Sequence, residues 1–142
     1  MGKVMNRIRI INNTDVGEAR RGVIAEAAIR SLEVDALVDT GAISMVIPAE
    51  IVAQLGLSPE GNRKVRYADG RVDDIPWCAD VRFEICGRQT VCDAYVTPAG
   101  TQVLIGQIPL EALDLIVDPK NREVRVNPAS PDVPLLDLLA AG

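Results

Sequence analysis

The chain has 142 residues, 48% of them apolar, a net charge of -5 and no histidine. That length supports one hydrophobic core and not two. The negative charge, with no basic stripe interleaved with aromatics, argues against a nucleic-acid or anionic-membrane surface, and the missing imidazole removes Ser-His-Asp and Cys-His catalysis together with His-based zinc sites.

In chain order, Arg7 to Ile11 alternates like a strand, and Asn12-Asn13-Thr14-Asp15 breaks it. Val23 to Arg30 and Leu32 to Val38 predict two further strands, the second running into Asp39. A short helix follows, with Pro48 in its first turn, Ile51, Val52 and Leu55 on its apolar face and Gly56 ending it. After the loop Ser58 to Asn62, Val65 to Ala68 and Arg71 to Ile75 flank Asp69-Gly70, a tight-turn dipeptide. Ala79 to Cys86 and Gln89 to Val96 flank Gly87-Arg88 as a second hairpin, in a register that sets Cys86 against Gln89 and Cys92 against Phe83. Those sulfurs do not meet there, so Cys78, Cys86 and Cys92, an odd set, are read as reduced.

Thr97 to Thr101 is a loop before the strand Gln102 to Ile105, which Gly106 closes. Pro109 to Leu113 starts a second helix, Leu115 to Val117 is extended, and a turn at Asp118 to Asn121 leads to Glu123 to Val126. The pattern predicts an all-β domain over residues 1–127 with one or two short helices, then a Pro-rich tail over 128–142 that is either disordered or docked on the body or a partner. No apolar run is long enough to cross a bilayer, and the start lacks a secretory cleavage pattern, so a cytoplasmic location with protein or peptide partners is expected.

With histidine absent, acid-base chemistry falls to carboxylates, and one carboxylate is singled out. Asp39 stands between the apolar strand Ala36-Leu37-Val38 and a glycine turn, followed by Met45-Val46-Ile47-Pro48. The strand is expected to drive the acid into a low-dielectric site, Gly41 to allow close backbone approach, and small Ala42 to leave room for a ligand.

The quartet Asp39-Thr40-Gly41-Ala42, the hairpin Val65 to Ile75 and the later Val103-Leu104-Ile105-Gly106 come in the order found in retropepsin-like aspartic proteases, and the chain resembles that family across about residues 32 to 117. The resemblance implies a closed, barrel-like β domain acting as a homodimer, because each chain carries one quartet and the chemistry needs two carboxylates. It assigns Asp39 as the catalytic acid, with Thr40 bonding across the dimer axis and Gly41 offering its backbone to substrate. Tyr67, Ala68, Asp69, Gly70 and Arg71 form the flap over a bound peptide, and Leu104, Ile105 and Gly106 pack behind the catalytic loop. No cofactor and no metal is implied.

Two departures mark the chain as closer to bacterial or cellular members than to viral ones. Viral enzymes usually follow the quartet with acids and place Arg after the later glycine; here those positions hold Ile43-Ser44 and Gln107. Both partners of that ion pair are missing together, so no charge is left unpaired. A longer segment precedes Asp39, and Arg7 to Ile11 and Leu115 to Val126 stand as segments either for the dimer interface or for packing on their own subunit. Two alternatives remain at this level: a retropepsin-fold dimerisation or peptide-binding module without catalysis, and an unrelated small β protein whose hairpin does not face Asp39.

Overall fold

Residues 3–139 are described by a computed structural model. Strand β1 (Val4–Ile11) turns Val4, Ile8 and Ile10 inward, the period-two burial that the sequence alternation demands. It pairs along its whole length with β2 (Ser31–Val38) and, at Arg9 to Ile11, with the far end of β5 (Val72–Ile85). The remaining strands are β3 (Met45–Pro48), β4 (Gly61–Arg66), β6 (Arg88–Thr97) and β7 (Val103–Ile105). The order β1-β2-β7-β3-β6-β5-β4, with β1 returning to β5, closes six strands into a barrel and leaves β4 outside the ring. Closure removes the free edges of those six strands and fills the interior with Phe83, Met45, Ile47, Ile85 and Ile105.

One expectation fails in the segment between β1 and β2, and one element there is new. The polar run from Asn12 ends β1 as expected and also caps a helix absent from the sequence reading, α1 (Asn13–Arg20): the Asn12 side chain accepts from the Asp15 N–H at 3.0 Å and donates to the Leu55 carbonyl at 2.8 Å. Val23 to Arg30 is not a strand, because both neighbours of β2 are already β1 and β7. It runs over the surface with a 3₁₀ turn at Glu26–Ala28, and Val23 is exposed. Arg30 grips the buried Asp15 carboxylate through Nε at 2.9 Å and Nη2 at 3.0 Å, and this pairing holds the acid below its ordinary pKa.

Helices α2 (Ala49–Gln54) and α3 (Gln107–Ala112) sit where expected, so with α1 there are three short helices among the described residues instead of one or two. The second hairpin turns one residue earlier than its sequence reading. Ile85 faces Arg88, and Cys86 and Gly87 occupy the turn at φ 53° and 76°, the left-handed pair that matches strand twist. The register therefore sets Cys92 against Val81, not Phe83, while all three cysteines are free as expected. β5 is one continuous strand of 14 residues with a bulge between Cys78 and Val81, where the sequence suggested two separate strands.

Strands β8 (Leu115–Asp118) and β9 (Glu123–Val126) form a separate antiparallel ribbon. The chain beyond it is docked on the body as far as Leu135. The buried Arg88 guanidinium donates to the carbonyls of Leu113 (2.8 Å), Asp114 (3.0 Å) and Ser130. The Asp114 carboxylate accepts from the Ser130 hydroxyl, the Asn127 side-chain amide and the Leu135 N–H. These donors, Ser130 first, hold the Asp114 carboxyl down at about 2, well below the ordinary carboxylate range. A carboxylate depressed in the folded state stabilises docking above its unfolded pKa and loses that contribution as pH falls through the folded one. We therefore expect the tail to detach between about pH 4 and pH 2, seen as a gain in exchange at the Leu135 amide in that window, and Asp114→Asn to loosen it at neutral pH. No helix of the described residues is long and apolar enough to cross a membrane.

Candidate active site

β2 ends on the buried Val38, and the next residue, Asp39, leaves the barrel. Its carboxylate is exposed in the single chain, not buried as the sequence reading expected, because the strand that carries it stops at the barrel rim. The loop itself is tightly bonded. The Gly41 N–H donates to Asp39 Oδ1 at 2.9 Å, and the Ala42 N–H donates to the Asp39 carbonyl at 3.1 Å. Thr40 is exposed beside them.

The strand β7 and the start of α3 support this loop from behind. The Asp39 N–H donates to the Ile105 carbonyl at 3.0 Å, while the Gln107 and Ile108 N–H groups donate to the carbonyls of Ala42 (2.8 Å) and Ile43 (2.9 Å). Between those bonds lies Gly106. A Cβ there would stand 2.6 Å from the Ser44 carbonyl oxygen, 2.7 Å from that of Ala42 and 2.7 Å from the Ile43 carbonyl carbon. Gly106 has an ordinary extended backbone, so space alone requires glycine. Leu104 and Ile105 extend the support by pairing with Leu37 and Val38 on one side and Val46 and Met45 on the other.

The hairpin β4–β5 closes the other side. The ladder ends at Arg66 and Val72; the Tyr67 N–H donates to the Arg71 carbonyl at 2.8 Å and the Gly70 N–H to the Tyr67 carbonyl at 2.9 Å. Only Gly70 has positive φ at the tip, so the connection is a three-residue turn with a left-handed glycine and not the two-residue turn expected from Asp69-Gly70. Asp69 instead caps the Arg71 N–H at 2.9 Å, and the Arg71 guanidinium lies 4.3 Å from the Tyr67 ring centre. Gly41, Ala42 and Ile43 on the loop share a cavity of about 480 Å³ with Tyr67 and Ala68 on the hairpin, over a floor of Val46 and Tyr95. The hairpin thus faces the Asp39 loop.

At the positions where viral enzymes carry an ion pair, Ile43 is 68% exposed and the Gln107 side chain bonds Glu111 at 2.7 Å. Neither leaves a buried charge. Cys92 offers no thiolate, since burial pushes it up to about 12. The cluster of Arg63, Trp77, Asp93 and Tyr95 beside the cavity escaped the sequence reading, because its members lie on three strands up to 32 residues apart.

A search of curated proteins finds no match. A family model described as "gag-polyprotein putative aspartyl protease" matches residues 25–127, a span that holds the Asp39 loop, the hairpin over it and Gly106 behind it. On that match, and on the six-stranded closed barrel that carries it, the chain belongs to the gag-type, retropepsin-like aspartyl protease family.

Proposed function

We propose that the protein is an aspartic endopeptidase in which two Asp39 carboxylates, one from each subunit of a homodimer, activate a water for peptide-bond hydrolysis. The observation that carries this is the Asp39 loop, held by Gly41, Ile105 and the backbone around Gly106 and roofed by the hairpin. One carboxylate, ionised, takes a proton from the water; the other, protonated, polarises the scissile carbonyl. No covalent intermediate forms.

The exposure of Asp39 and Thr40 supports the dimer: a lone carboxylate in water has no second acid and no dry site, and a partner's loop supplies both. Lys3, Leu37, Val117 and Pro119 border a cleft beside Asp39 and Thr40, which supports a part for the β8–β9 ribbon in such an interface. β1 is committed to its own barrel, to β2 throughout and to β5 at Arg9 to Ile11. The substrate is an extended peptide held between hairpin and floor in the manner of an added strand.

The test is a dilution series. Activity per chain is expected to fall as the protein is diluted below its dimer dissociation constant, in step with the dimer fraction measured by mass. Activity per chain that stays constant where only monomer is present overturns the shared site.

A further inference from the structure

We infer that the substrate groove continues beyond the flap cavity to a second subsite, in which Arg63 selects an acidic side chain of the peptide. The inference rests on the peptide-binding reading of the Asp39 site and adds a substrate class to it.

The groove is continuous in residues. Ser44 and Tyr95 line both the flap cavity and a neighbouring one of about 400 Å³ that Arg63, Asp93 and Ile108 also border. In the ladder, Arg63 lies opposite Ile75, and Trp77 lies opposite Tyr95. Successive alternate residues share a sheet face, so Arg63, Ile75, Trp77, Tyr95 and Asp93 present one surface.

Arg63 is held before any ligand arrives. Its guanidinium carbon lies 3.4 Å from the Trp77 ring centre, and Nη1 alone serves both Asp93 Oδ2 at 3.1 Å and the Tyr95 hydroxyl at 3.3 Å. Nε and Nη2 have no hydrogen-bond partner among the described residues, and the side chain is 39% exposed. A flat, stacked guanidinium with one free edge is suited to a carboxylate that accepts two parallel bonds, at small ordering cost. Asp93 takes up only the Nη1 side of the guanidinium, and Arg66 adds a second cation at the flap cavity. The acids that follow the quartet in viral relatives are replaced here by the uncharged Ile43 and Ser44, so the loop adds no acid beyond Asp39.

The test compares peptides of one apolar core sequence carrying Glu, Gln or Lys at a single outer position, moved along the peptide. Cleavage is followed with the wild-type protein and binding with Asp39→Asn. At one outer position Glu is expected to exceed Gln by about tenfold in kcat/KM and in affinity. Arg63→Gln should bring that ratio to about one and Arg63→Lys should retain part of it. A ratio between peptides within one protein cancels general damage to the fold or the flap. Cleavage without preference at any position, preference for Lys, or an unchanged ratio in Arg63→Gln overturns the inference and leaves the peptidase reading intact. Selective binding of Glu peptides without cleavage by the wild type overturns the peptidase reading and upholds the inference. Neither binding nor cleavage of any peptide overturns both.

Discussion

Asp39→Asn is expected to lower kcat/KM for peptide hydrolysis by roughly four orders of magnitude, since it removes both the base and the acid of a site that acts as one unit. The amide is nearly isosteric, and its oxygen still accepts the Gly41 N–H that Asp39 Oδ1 accepts at 2.9 Å. Loop and fold should therefore survive, with stability unchanged within about 0.5 kcal/mol. Denaturant unfolding beside the peptidase assay checks both halves. Substantial turnover by the purified variant would transfer the chemistry to another group.

The second large effect belongs to Gly106→Ala. The new methyl meets three backbone atoms of Ala42, Ile43 and Ser44 at 2.6 to 2.7 Å, and none of them is the end of a flexible side chain. The loop has to move away from β7, stretching the bonds from Gln107 and Ile108 that hold it. Overpacking of this kind costs about 1–3 kcal/mol. A displacement near 1 Å at a catalytic group lowers turnover by ~10²-fold. The expected signature is a lowered unfolding midpoint together with a fall in kcat that exceeds any rise in KM. Gly106→Ala with wild-type kinetics would show that the support strand does not fix the Asp39 geometry.

Local order carried most of the architecture. The quartet at Asp39, the glycine at 106 and the hairpin tip around Gly70 each announce themselves within a few residues, because a turn, a close approach and a positive φ all restrict the residue type locally. Helix α1 was illegible for the opposite reason. Its only buried residue is Asp15, held by Arg30 from across a loop, so no apolar period marks it. Val23 to Arg30 has strand-like residues, yet the ring offers it no neighbour, which is a fact of topology and not of propensity. Hairpin register slipped where Cys86, a residue with no special liking for positive φ, took a left-handed turn position. The Asp114 and Arg88 clamp and the Arg63 cluster join residues distant in sequence, and only the closed barrel brings them together.

The continuity of β5 makes the hairpin a cantilever. From Trp77 onward the strand is clamped in the barrel by β6, but Val72 to Pro76 pair with β4 alone, an overhang of about 17 Å at the usual strand rise. A two-stranded ribbon of that length bends most readily at its root, and at the root Arg63 lies flat on Trp77 while reaching across to Tyr95 and Asp93 on β6. The stack is therefore a bracket between beam and wall. The stiffness of the arm thus depends on a side chain at its root, Arg63, and not on the residues of its tip.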